Sequence, residues 1–471
     1  MNNDNIEDRV KDFAKSIGVD LVGVAGPDQL DGPPSTDAGY ILRGGKSCVS
    51  FALPVSVDSI YDFFSKKTKT HHNIDKMKAA QRINRTSLKI AEFLQSQGFK
   101  AKAVMANMVY RRRLNLKAPK PHPDFSHRFA AIAAGIAGQG LSGNVVTEKY
   151  GAAVFLGTVI TDAVFKSDPM MPPRHILDNI CSKCKICNHS CPAKMFVGDR
   201  EEYVLMNGQL LPRGFRRDIS YCNINCFGLH SVSDNLKWSS WGSHIIPEYL
   251  DGVPDTDGKN ITKDFLDHMF SAGDSGSRLY ALSTFVSKPW SDELFTRDKL
   301  GKEIEDYPED EMERRKVRRD DLKRYTGVEV DDPDVNTCGN CAQVCAGADI
   351  PESAKRLRML RESGIVVKRG DGSHAVVETF EEAMEIREKD PHIIGKPQKA
   401  KEAVKNAKYG IATQFGFEPK GLIQNFFYQR KLKKAVAEQQ PEDRLAELKA
   451  DRSAAGTQLV EELDGRGERE E

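Results

Sequence analysis

No stretch of about 18 consecutive apolar residues occurs anywhere in the sequence, so nothing in it reads as a helix able to span a bilayer. The opening Met1-Asn-Asn-Asp-Asn-Ile-Glu-Asp-Arg9 has neither an apolar core nor twin arginines, and a cytoplasmic protein is expected. Excess charge is missing too. Lys and Arg number 69 against 68 Asp and Glu, a net +1. A surface so balanced gives no electrostatic reason to bind nucleic acid or an anionic membrane, and nucleic acid is not expected as a partner. Repeats of about 20–50 residues are absent, which excludes a solenoid and leaves no helical repeats at the C-terminal end for gripping RNA. Cysteine is nearly absent outside one region: of ten, only Cys48 lies before Cys181 and none follows Cys345. A disulfide framework would spread its cysteines, and a cytoplasmic chain would keep them reduced.

What is present is enough for more than one core, since 471 residues exceed an ordinary single domain. Apolar residues recur at helical spacing from Ile6 to Ile17, and Gly18 ends that helix. Val19–Ala25 and Ser47–Val55 read as buried strands, with Cys48 a small core residue inside the second. A long helix over 75–97, a strand from Lys102, an alanine-rich helix from Ser126 to Ala137, a short strand at Asn144–Thr147 and a strand over Ala152–Ile160 complete an α/β (α+β) domain spanning 1–170. Beyond Pro351 the chain turns helical and polar. Gly421–Lys434 is aromatic and basic, and a helix packing its aromatic side on the core is favoured there over a membrane-surface role. The Glu-rich end, 441–471, reads as a disordered tail.

The clustered cysteines carry the chemistry. Cys181-x2-Cys184-x2-Cys187-x3-Cys191-Pro192 is the run of bacterial ferredoxins, in which three close thiolates grip one cubane and the fourth reaches to another. Zinc sites usually use two separated pairs, so zinc fits this spacing poorly. A second set, Cys338-x2-Cys341-x3-Cys345, brings the thiolates to seven, and two 4Fe–4S clusters need eight. The eighth is Cys222 or Cys226, which spacing does not decide. The crossing-over rule places Cys181, Cys184, Cys187 and Cys345 on one cluster. It places Cys191, Cys338, Cys341 and one of the undecided pair on the other. His189 and His230 lie nearby but are not needed as ligands. The cysteine-bearing unit is 171–230 plus 335–352, interrupted by an insertion over 231–334 that holds all three tryptophans, Trp238, Trp241 and Trp290. An extension over 353–440 follows.

A ferredoxin run, a lone cysteine and C-x2-C-x3-C, placed after an α/β domain, resemble the epoxyqueuosine reductase and reductive dehalogenase superfamily. The likeness extends upstream to Ala137-Gly-Gln-Gly-Leu-Ser-Gly143 and to Tyr150-Gly151-Ala-Ala-Val-Phe-Leu-Gly157-Thr-Val-Ile-Thr161-Asp162. Gly138-Gln-Gly140-Leu-Ser-Gly143 also spells a dinucleotide fingerprint, but a helix precedes it and a strand follows, the reverse of the Rossmann order. The resemblance implies a cobalamin-dependent iron–sulfur reductase that cleaves a carbon–halogen or carbon–oxygen bond of a small organic substrate. Its electron donor would be a ferredoxin or flavodoxin. The corrinoid is expected against Gly138, Gly140, Gly143, Asn144 and Gly157. A proton donor is expected at Asp124, thirteen residues before Ala137, with Tyr110, beside Arg111–Arg113, as the runner-up. Asp124 would serve equally well as an N-cap for the helix beginning near Ser126. The sequence departs from the family's pattern at Asn144, where lysine is usual, at Ala346, where proline is usual, and in the length of the insertion. A plain two-cluster electron carrier without a corrinoid is the alternative reading.

Overall fold

The computed structural model describes residues 5–105, 110–111, 122–216, 222, 231–241, 338–369, 373–390 and 419–439. Its centre is a four-stranded sheet of β1 (Leu21–Ala25), β2 (Ser47–Pro54), β3 (Ala101–Val104) and a later strand, Val154–Thr161, which lies between β2 and β3. Every pairing in it is antiparallel, so the domain is of the α+β kind.

Alternation along β2 assigns the two faces. Val49, Phe51 and Leu53 meet α1 (Ile6–Ser16) and the long helix α2 (Thr70–Ser96) through Val10, Ala14, Ile83, Ile90 and Leu94. Each large side chain buried there contributes about 1.5–3 kcal/mol. Cys48 and Ala52 point the other way, to the alanine-rich α3 (His127–Ala133). Small side chains are needed on that face: a Cβ on Gly23 would come within 2.2 Å of the Ala134 carbonyl oxygen. Cys48 is fully buried, and desolvation pushes its thiol up to about 12, the state of a structural thiol.

After the sheet domain come two strands not expected from the sequence, Phe196–Met206 and Gln209–Arg216, paired antiparallel. Asn207 and Gly208 both have positive φ, +47° and +68°, the left-handed pair that a tight two-residue hairpin requires. A second hairpin, Ile365–Lys368 with His374–Val377, lies in the extension, which is therefore not purely helical. The Ile365-Val-Val run following Gly364 is β-branched and buried, and burial decides for a strand.

Residues 231–241, the start of the insertion, pack into the core shared by Phe63, Phe64, Val344 and Leu360, where Trp238 is buried. The Trp241 indole N–H donates to the Phe63 carbonyl at 2.8 Å. Trp290, His230, most of the insertion and the 441–471 tail lie outside the described residues. The last described helix, Pro419–Gln439, rests on the Phe196–Met206 strand through Tyr428, whose hydroxyl accepts from the Leu205 N–H. Phe426 and Phe427 face outward at 58% and 57% exposure, so the expectation of an aromatic side turned to the core holds for Tyr428 alone.

Candidate metal centre

The ferredoxin run folds as short helical turns. Leu177–Cys181 is a widened turn, Ser182–Cys184 a single turn, and Ile186–His189 another. Between the last two, Lys185 is left-handed at φ +48°, a conformation costing about 1–3 kcal/mol for a residue with a side chain. That reversal wraps the loop and directs Cys181, Cys184 and Cys187 toward a common space.

Cys345 joins them from far along the chain. Its charge acts on Cys181, Cys184 and Cys187 alike. Two contacts bring its segment there. A Cβ on Gly151 would lie 2.2 Å from the Cys345 carbonyl oxygen, and Gly151 has φ +64°. The Ala348 N–H also donates to the Glu148 carbonyl at 3.0 Å. The helix Ile350–Glu362 supports the segment from behind: Arg356 donates to the Gln343 carbonyl at 2.9 Å, and the Ser353 hydroxyl accepts from the Ala346 N–H at 2.9 Å. The fully buried Asn340 donates through its amide to the Ser190 carbonyl, 3.1 Å, and to the Ser240 hydroxyl, 2.7 Å. It thereby ties the Cys338–Cys341 turn to the loop of Cys191.

Cys222 is half-buried and described in isolation, and Cys226 lies outside the described residues. No described cysteine is in a disulfide. Desolvation, first, raises the Cys181 thiol to about 11 and the Cys187 thiol well above its ordinary value; neighbouring sulfurs add to both shifts. Cys181, Cys184 and Cys187, desolvated together, resist ionising unless a cation compensates them. Among the described residues no three His, Cys, Asp or Glu side chains converge closely enough for a single metal ion, whereas four-thiolate zinc needs sulfurs roughly 3.8 Å apart. One sulfur, Cys181 Sγ, accepts the Leu141 N–H at 3.5 Å, the donor type that favours cluster-bound sulfur. The donor set fits an iron–sulfur cluster.

The positions expected to meet a corrinoid are filled differently. A Cβ on Gly138 would be 2.6 Å from Ile176 Cγ1, one on Gly140 would be 2.6 Å from Val146 Cγ2, and one on Gly157 would be 2.2 Å from the Phe51 ring. Phe51 is the cross-strand partner of Gly157. Gly143, at φ +67°, leaves room for the Arg216 guanidinium, 3.0 Å from its built Cβ. The Asn144 side-chain amide donates to Cys341 Sγ at 3.5 Å. Protein atoms thus stand where a side chain would be on each of these glycines.

The rival proton donors turn out to be neighbours. The two-residue strands Tyr110–Arg111 and His122–Pro123 pair, with Tyr110 opposite Pro123, one residue from Asp124. Ser126, not Asp124, caps α3, its hydroxyl accepting from the Phe129 N–H. Asp124 is half-buried and accepts from the Phe125 N–H at 2.8 Å.

Sequence reasoning missed Arg216. Its signal was the Asn207-Gly208 dipeptide between apolar runs, which predicts the hairpin that carries it.

No protein-family model matches the chain, and no curated protein does. Solved structures do match, epoxyqueuosine reductases and reductive dehalogenases among them. A selenomethionine-labelled epoxyqueuosine reductase matches at 20% identity and TM-score 0.29, over 44% of this chain and 54% of that one. The chain thus spans about half that protein's length. An epoxyqueuosine reductase with a modified tRNA stem loop matches at 15% and 0.34, over 91% and 99%. A reductive dehalogenase studied for B12-dependent dehalogenation matches at 15% and 0.35, over 59% and 36%. These are the two groups named from the cysteine spacing, but at such scores the likeness carries no argument about this chain's chemistry. The tRNA stem loop is bound by that epoxyqueuosine reductase. No described helix is long and apolar enough to cross a membrane.

Proposed function

We propose that the chain is an iron–sulfur reductase that carries two 4Fe–4S clusters and delivers electrons from a ferredoxin or flavodoxin to a bound corrinoid. The substrate class is an organic molecule with a carbon–halogen or carbon–oxygen bond to be cleaved. The observation that supports this best is the gathering of Cys181, Cys184 and Cys187 with Cys345, half-buried and mutually acting. A reduced corrinoid, when bound, supplies the nucleophilic centre for such cleavage. This chain's own residues would hold the clusters, shield them from water, and supply a proton from Asp124 or Tyr110.

The plain electron carrier stays as a second reading because the expected corrinoid positions are packed with protein. Anaerobic reconstitution, with iron, sulfide, zinc and cobalamin assayed on one sample, separates the readings. About eight irons and eight sulfides per chain are expected for two cubanes; stoichiometric zinc would sink the proposal. A visible spectrum with corrinoid absorption supports the reductase, and its absence beside intact clusters supports the carrier. For the proton donor, Asp124→Asn should keep both clusters yet lose on the order of 10²–10⁴ in turnover. Near wild-type turnover would move the role to Tyr110. Organic halides, epoxides and a modified tRNA stem loop should all be offered as substrates.

A further inference from the structure

The two cysteine groups differ in what faces their sulfurs. Around Cys181, Cys184 and Cys187 the groups acting on the thiols are other sulfurs and backbone N–H donors, with no cation among them. Cys341 stands differently. The Asn144 side-chain amide donates to its sulfur at 3.5 Å, and the Arg216 guanidinium lies within electrostatic reach of it.

The placement of Arg216 is built rather than incidental. It ends the Gln209–Arg216 strand and lies over Gly143, where any Cβ would stand 3.0 Å from its Cζ and Nε. Arg128 donates to the Gly143 carbonyl at 3.4 Å on the same turn. Arg213 adds a third guanidinium, and Glu202 lies 3.0 Å from Arg213 Nε and 3.9 Å from Arg216 Nε. Of these cations it is Arg216 that acts on Cys341. Arg216 is 29% exposed, so water screens that charge only in part.

The potential of an iron–sulfur cluster rises with nearby positive charge and with hydrogen bonds to its sulfurs, since both favour the more negative, reduced state. We infer that Arg216 and Asn144 raise the reduction potential of the cluster bound by Cys341 above that of the cluster bound by Cys181, Cys184 and Cys187. Electrons then run from the second of these clusters to the first. Gly143 belongs to the device as the residue that lets the guanidinium lie against the turn. Both residues act through the sulfur and are positioning residues. The inference rests on the two-cluster reading above.

The test is an anaerobic redox titration followed by electron paramagnetic resonance, with iron and sulfide counted in each sample. Cys341→Ser, which changes one cluster's signal, first marks which signal belongs to Cys341. Arg216→Gln should then shift the midpoint of that cluster downward and leave the other in place, while Arg216→Lys should restore most of the shift. Asn144→Ala should lower the same midpoint by less, and it decides the matter if Arg216→Gln does not retain its clusters. Unmoved midpoints, or equal movement of both, overturn the inference while the two-cluster reading stands. A wild-type chain without two clusters overturns both.

Discussion

The sheet domain and the cysteine segment are held together by opposite means. In the first, apolar side chains from α1, α2 and α3 fill both faces of one sheet. In the second, short turns are tied by side-chain amides, hydroxyls and a guanidinium: Asn340, Ser353 and Arg356 each bond backbone belonging to a cysteine loop. Four half-buried thiols sit at its centre. The sheet domain is held by its own apolar contacts, whereas the cysteine segment would be held in part by the proposed clusters.

The largest effect that could break this contrast is removal of iron. Chelation under anaerobic conditions should abolish hydrogen-exchange protection in 181–191 and 338–345 while Ser47–Pro54 and Val154–Thr161 keep theirs. Simultaneous loss in those strands would show the two regions to be one cooperative unit. Next, Cys345→Ala should remove about four irons and Cys48→Ala none, because one sulfur faces the others and the second faces only the core. Loss of iron in the Cys48 variant would contradict its structural role.

A smaller effect is expected within the sheet. Gly157→Val would drive a side chain into the Phe51 ring, 2.2 Å from its built Cβ, and should cost about 3 kcal/mol in denaturant unfolding. The iron content of the folded fraction should not change; a fall in it would return Gly157 to the cofactor site.

The smallest effect is a pH dependence. Burial holds the His127 imidazole down at about 4, against an ordinary value of 6.5, and its Nδ1 meets the Thr158 hydroxyl at 2.8 Å. As pH falls through 6.5 the unfolded chain gains a proton that the folded protein refuses until about 4. Stability is therefore full above that window and drains within it, by about 2 kcal/mol at pH 5. Equal stability of the cluster-loaded protein at pH 7 and pH 5 would mean His127 is not held neutral.

Much of this was legible before the structure. Cysteine spacing is a local signal, because the loop that grips three corners of a cubane is short, and the strands of the sheet announced themselves as apolar runs between glycines. What escaped depends on contacts between distant segments. Tyr110 and Asp124 are separate candidates in the sequence, and only the structure pairs the backbone of Tyr110 with that of Pro123, the residue before Asp124. At the glycines of the 138–143 turn a missing side chain does not say what lies beside it; Ile176, Val146 and Arg216 lie there. The outward Phe426 and Phe427 beside the inward Tyr428 were likewise unreadable from an aromatic-basic run.

The backbone contact of Gly151 and Gly347 with the Cys345 loop has a consequence for how such a chain can change over generations. A Cβ on Gly347 would come within 2.3 Å of the Glu148 carbonyl oxygen, so the returning cysteine segment is seated on the sheet domain itself. Its register is fixed at that seat and not by the span of chain that separates it from Cys226. Doubling a connecting segment costs only about 0.6 kcal/mol in closure entropy, so insertions and deletions there are cheap as long as the two glycines remain. A change of length between Trp241 and Cys338 would leave both the Trp238 packing and the glycine seat in place.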